Sequence, residues 1–185
     1  MRHALVKESK EKMQKSLDSF KQELSHIRTG RASVGLLDAI EVDAYGAKMK
    51  LNQLANVTAP EPRLLVIAPW DKAQIAAIER AILASPLDIT PSNDGHVIRL
   101  PIPQLTEERR RELVRVVGKL EEEAKVAVRN IRRHAVDTAK KAQKDGEIPE
   151  DDAHKLTAEV QELTDAYCDK IDEAFTAKEA EIMEV

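Results

Sequence analysis

The sequence predicts a mainly α-helical protein with an α+β insert: an antiparallel three-helix bundle interrupted by a small β/α/β domain. Three observations carry that expectation. Apolar residues recur at three- and four-residue steps in three long stretches, the spacing that gathers side chains onto one face of a helix. Charged residues make up 34% of the chain and aromatics only 3%, a balance that suits long exposed helices better than a β-sandwich or a compact α/β enzyme. Between about residues 31 and 103 the pattern changes to short apolar and β-branched runs separated by proline and glycine. At 185 residues the chain makes one large or two small domains and buries about 70% of its unfolded surface, enough for independent folding.

Each element has its own signal. From Arg2 to Arg28, Val6, Met13, Leu17, Phe20, Leu24 and Ile27 line one face with lysines on the outer positions, and Thr29-Gly30 ends the helix. Leu36 to Val42, a turn at Tyr45-Gly46-Ala47 and Lys48 to Leu51 read as a β-hairpin. Arg63 to Ala68 is a buried strand closed by Pro69. Asp71 then caps a helix whose Ile75, Ile78, Ala81 and Ile82 cover the sheet. Pro86, Pro91 and Gly95 mark a loop before a strand at His96 to Leu100, and Pro101-Ile102-Pro103 closes the insert.

The stretch from Thr106 to Glu147 contains no proline, and its apolar stripe comprises Leu113, Val117, Leu120, Ala124, Ala127, Ile131, Ala135 and Ala142. At ~1.5 Å per residue such a helix is about 60 Å long, too long to be wrapped on all sides. Gly146 breaks it, and Pro149 followed by Glu150, Asp151 and Asp152 opens a last helix carrying Leu156, Val160, Leu163, Tyr167, Ile171, Phe175 and Ile182. The short link at Gly146 favours an antiparallel pair, which the first helix completes. The expected domains are therefore a bundle of residues 1–30 and 104–185 and an insert of residues 31–103. Because three seams can satisfy one another within one chain, a monomer is expected. Thr29-Gly30-Arg31-Ala32-Ser33 and Pro101-Ile102-Pro103 are the only covalent links between the two, an arrangement expected to work as a hinge.

The formal net charge of −4 conceals a segregation. Residues 1–31 hold 8 basic and 4 acidic side chains and residues 106–146 hold 12 and 8, whereas residues 147–185 hold 3 and 13. A mildly acidic chain can thus present a basic surface. The single cysteine, Cys168, excludes an internal disulfide, and neither a membrane-spanning apolar run nor a signal-peptide core is present, so a cytoplasmic protein is expected with no membrane partner. His3, His26, His96, His134 and His154 are scattered and in no metal-ligand spacing with Cys168. The six glycines form no phosphate-binding loop. No catalytic residue, metal ligand or cofactor is expected.

What stands out is the side of the central helix away from its seam, where Arg111, Arg115, Lys125, Arg129, Arg132, Arg133, Lys140 and Lys144 project. Such a face is either a solvated surface or a place where phosphates bind, and composition leaves both open. Arginine predominates at 129, 132 and 133, and of their i+4 positions only Asp137 holds a carboxylate. The planar guanidinium suits phosphate oxygens, and sparse aromatics favour structured RNA over stacked single strands. A helical protein-holding module, using its seams on a partner, is the competing class.

Two motifs sharpen the choice: HIRTGRAS at His26 to Ser33 and VRNIRRHA at Val128 to Ala135. On these, and on the order and length of the segments between them, the chain resembles the bacterial ribosome recycling factors over essentially its whole length. The resemblance implies a three-helix bundle with a small β/α/β domain on a flexible hinge, L-shaped like transfer RNA. It implies a non-enzymatic protein that binds the ribosome after termination and, with elongation factor G hydrolysing GTP, separates the subunits for new initiation. Carried over residue by residue, Arg129 and Arg132 contact large-subunit ribosomal RNA, Arg133 is a further candidate, and Arg28 and Arg31 flank the hinge and add contacts. His134 and Val136 depart from the aspartate and asparagine of many members.

Overall fold

The computed structural model describes residues 1–184, which form two compact units: Met1–Leu24 together with the chain from Arg110 onward, and Ser25–Arg109. Four α-helices and six short strands account for their regular structure: α1 (Arg2–Ser25), α2 (Ile75–Ala84), α3 (Glu107–Lys144) and α4 (Glu150–Met183), with β1 (Glu41–Ala44), β2 (Ala47–Lys50), β3 (Ala55–Glu61), β4 (Leu64–Pro69), β5 (Ser92–Asn93) and β6 (Ile98–Pro101).

The first unit is a bundle of α1, α3 and α4. Its core runs through Met13, Leu17, Phe20 and Leu24 of α1, Leu113, Val117 and Val128 of α3, and Leu156, Val160, Tyr167 and Ile171 of α4, all buried. Helix direction follows from cross-helix bonds. Arg2 reaches Asp152 at 3.4 Å and Glu159 at 2.9 Å, and the Tyr167 hydroxyl donates to Gln14 Oε1 at 2.9 Å, so α1 and α4 run the same way. Arg132 meets Gln161 and Lys125 meets Asp172, which makes α3 antiparallel to α4. The turn between them closes as a Schellman motif. Gly146 at φ 75° lets its own N–H reach Gln143 O at 3.1 Å and the Glu147 N–H reach Ala142 O at 2.8 Å, pairing the orphan carbonyls of the helix end. At its other end Thr106 Oγ1 accepts from the Arg109 N–H at 3.1 Å, the bond expected of an N-cap.

The second unit is an antiparallel sheet in the order β3-β4-β6-β5, plus a separate β1–β2 hairpin. Leu65 and Ile67 of β4 alternate into the interior and meet Ile98 and Leu100 of β6 from one side of the sheet, against Ile75, Ile78 and Ile82 of α2. The hairpin turn is Tyr45-Gly46, both at positive φ (52° and 75°), as a tight two-residue connection with the right twist requires. The hairpin is shorter than its sequence pattern: Val34–Leu37 forms one turn of 3-10 helix, putting Leu36 and Leu37 into the core from the wrong period for a strand. A strand absent from the sequence reading, β3, pairs along β4 at the sheet edge. Its exposed Thr58, Ala59, Pro60 and Glu61 carry no apolar alternation, and backbone bonds alone reveal it. The only tryptophan, Trp70, is 68% exposed, with its backbone N–H donated to Leu54 O at 3.1 Å, and it borders a shallow depression with Val34, Leu51 and Val57. Among the described residues no helix is long and apolar enough to cross a membrane.

Candidate nucleic-acid interface

Helix α3 is 38 residues long, and α1 and α4 cover only part of its circumference, so one side stays open along its length. On that side stand Arg111, Arg115, Lys119, Arg129, Arg133, Lys140 and Lys144, all exposed. Two valines, Val116 and Val126, share it at 50% and 45% exposure.

The candidate arginines occupy different settings. Arg129 is exposed and its Nη1 lies 3.1 Å from Glu122 Oε1, two helical turns earlier. That pair was invisible to an i+4 count, although i+7 also returns to the same side of a helix. Arg132 lies at the α4 border, half-buried, with Nη1 donating to Gln161 Oε1 at 3.2 Å, while Gln161 Nε2 donates to Asp165. Arg133 is exposed and has no hydrogen bond or ion pair among the described residues. Asp137, four residues on, leaves it unpaired. Lys125 does not belong to the open side. It is half-buried and bridges Glu121 at 3.3 Å and Asp172 on α4, whose carboxylate holds it protonated above the ordinary lysine range. Asp172 is correspondingly lowered, by that same lysine first. Glu121, facing the second carboxylate from a partly desolvated position, is raised chiefly by burial. Opposite charges on facing helices form this cluster, and no single-helix periodicity announces it.

Arg28, Thr29, Gly30, Arg31, Ala32 and Ser33 lie in the second unit, beyond the end of α1 at Ser25. Arg28 is half-buried and donates to Leu87 O at 3.4 Å, while Arg31 is exposed. Gly30 has φ +81°, and a Cβ there would meet Leu105 Cγ at 3.5 Å. The Ala32 N–H donates to Pro62 O at 2.7 Å and the Ile102 N–H to Arg63 O at 2.8 Å, and Pro101 is the last residue of β6. Ile102 is buried in the core of this unit and Pro103 is exposed.

Nothing in these settings resembles a reaction centre. Burial pushes the Cys168 thiol up, away from the thiolate form a nucleophile needs. Among the described residues no three His, Cys, Asp or Glu side chains are grouped to hold a metal ion. The chemistry on offer is that of guanidinium forks on an open helix side.

Comparison with known proteins gives one answer from three directions. The family model described as "Ribosome recycling factor" matches residues 20–183. A ribosome-recycling factor of Geobacillus kaustophilus is 56% identical over 185 residues, covering all of both chains, and that of Shouchella clausii is 57% identical over 178 residues, 96% of each. A solution structure of a ribosome recycling factor superposes with TM-score 0.81 at 41% identity, covering 100% of this chain and 98% of the other. A ribosome recycling factor of T. thermophilus, described with E. coli elongation factor G bound to the E. coli post-termination complex, superposes with TM-score 0.70 at 45% identity over the whole of both chains.

Proposed function

The chain belongs to the ribosome recycling factor family, and from that premise we propose that the open side of α3 is its grip on large-subunit ribosomal RNA. The protein is a non-enzymatic translation factor of the cytoplasm. It acts on the post-termination ribosome with elongation factor G, which carries the GTP hydrolysis, and promotes dissociation into subunits for a new round of initiation.

The observation that carries the RNA grip is the pair Arg129 and Arg133, one turn apart and exposed on a helix side that neither α1 nor α4 covers. Each guanidinium presents donors in a planar fork that matches two phosphate oxygens. Arg132, set at the α4 border, extends the row once Gln161 yields it. Arg28 and Arg31 add contacts from the other unit. The fold holds the row in register because Val128 and Ala135, which flank the arginines on either side, are buried in the bundle.

Thr29 to Ser33 and Pro101 to Pro103 form the hinge in this reading. Ala32 and Ile102 are bonded to Pro62 and Arg63, and Arg28 to Leu87 O, so these residues travel with the sheet unit and rotation falls to the backbone on their bundle side. The protein works as a monomer, its seams closed within one chain.

Co-sedimentation with purified large subunits over a salt series tests the grip. Binding through phosphates weakens steeply, with log K falling by ~0.9 per phosphate for each unit of log salt in duplex nucleic acid. Arg133→Ala is expected to lower both affinity and slope. A flat salt dependence would mean that apolar seams, and not arginines, make the contact.

A further inference from the structure

The phosphate row leaves part of its own motif unused. In VRNIRRHA the arginines take one side of α3, while Asn130 and His134, one turn apart, border a notch of about 250 Å³ between α3 and α1. Leu5 of α1 and Ile131 and Ala135 of α3 give the notch an apolar floor. Both polar side chains are exposed, and neither has a hydrogen bond or ion pair among the described residues. At the rim Lys12 is paired with Glu8 at 2.6 Å, which cancels the one carboxylate at the notch. Arg133 lies three residues from Asn130 and therefore beside it on the helix surface.

We propose that this notch takes one unpaired nucleobase of the large-subunit RNA. This rests on the reading of α3 as the RNA-binding helix. An apolar floor is what a base face needs, and a carboxamide supplies a donor and an acceptor side by side for a base edge. An imidazole can lie against a base plane, as histidine does in single-stranded RNA sites. A volume of about 250 Å³ is below the ~300–1,000 Å³ of drug-sized ligand pockets and suits a single heterocycle. Arg133 then holds the phosphate of the same nucleotide or its neighbour. The division is the usual one: phosphate contacts fix position, and base contacts supply selectivity. Charge favours an anionic partner such as RNA over a basic protein segment, because residues 1–31 and 106–146, which supply both walls, are each net positive.

The test compares the full-length chain with Asn130→Ala, with the double variant Asn130→Ala/His134→Ala and with Arg133→Ala. All three sites are exposed, and far-UV circular dichroism melting confirms that the bundle is intact. Affinity for purified large subunits is measured from 50 to 200 mM salt, and base reactivity is probed chemically with each protein bound. The double variant is expected to bind about ten-fold more weakly with an unchanged salt slope, and to leave reactive one base that the unmodified protein protects. Arg133→Ala lowers the slope itself. Equal affinity of the double variant, a reduced slope, or an identical protection pattern would each overturn the notch. So would normal large-subunit binding with impaired splitting by elongation factor G and GTP, since the notch would then hold a protein. If the unmodified protein failed to bind large subunits at all, the parent reading would fall instead.

Discussion

Glu122 is the most informative single residue to change, because it is predicted to weaken the fold slightly and strengthen the function. Its carboxylate sits 3.1 Å from Arg129, with side-chain exposures of 62% and 47%, so the pair is solvated on both sides. Exposed pairs of this kind contribute ~0.2–1 kcal/mol. Arg129 must leave Glu122 before its fork can close on a phosphate, and the carboxylate left behind repels that phosphate. Glu122→Gln keeps the size and the helix propensity while removing both obstacles. Affinity for large subunits should therefore rise by roughly 1.4- to 5-fold, the free energy of the lost pair read as a binding ratio. Folding stability should fall by no more than that same amount. The gain should be larger at low salt and fade as ionic strength approaches ~0.2 M, where the Debye length shortens. Co-sedimentation at several salt concentrations, with urea unfolding on the same samples, reads both quantities. Weaker or unchanged binding by Glu122→Gln, with Arg129→Ala also unchanged, would remove Arg129 from the RNA surface.

Other expectations follow from burial and backbone geometry. Leu156→Ala, at a fully buried position in the bundle, should cost about 2–5 kcal/mol in urea unfolding, whereas Leu83→Ala, 62% exposed on α2, should stay within about 0.5 kcal/mol. Gly30→Ala places a Cβ at φ +81° against Leu105 and should destabilise the sheet unit by about 1–2 kcal/mol, seen as faster amide exchange at Ala32 and Ile102. Asp94 accepts from the His96 and Val97 N–H groups and from Arg99, bonds that hold its carboxyl well below the usual range. A depressed folded pKa gives stability that is present above the unfolded value near ~3.9 and lost only as pH falls through the folded one. The loop should therefore keep its protection from pH 7 to 4, and Asp94→Ala should lose protection at His96 and Val97 across that whole window. Finally, light scattering at low and high concentration should return the mass of one chain.

The helices were legible because each writes its packing face in the chain at a fixed period, and the bundle needs little else. Even so, the period was read one step off in places. Val128 and Ala139 are fully buried, while the neighbouring Ala127 is only half-buried, because a stripe packing against two helices is wider than one seam. The turn at Tyr45-Gly46 and the cap at Asp71, whose Oδ1 accepts from the Ala73 N–H, announced themselves through residue chemistry. β3 did not: an edge strand with one exposed face is held by backbone bonds to β4, and its side chains carry little of the reason for it. At the candidate interface, residue types pointed to arginine and to phosphate. Which basic side chains are unencumbered depended on Glu122, Gln161 and Asp172, two of which lie on another helix. Pairings across helices are fixed by rotation of one rod against another, and periodicity within a single rod holds no record of it.

The lone, exposed Trp70 has a consequence for anyone who unfolds this protein. Indole emission reports on the sheet unit and is silent about the bundle, while the far-ultraviolet ellipticity is dominated by α1, α3 and α4. Because Trp70 is already 68% exposed as a residue, its emission maximum should start near that of the unfolded chain, with the signal carried by intensity more than by wavelength. The two optical curves of one unlabelled sample therefore track different parts of the molecule. Their midpoints need not coincide, and a gap between them would measure the difference in stability between the units, the species populated in the gap having one unit folded and the other unfolded.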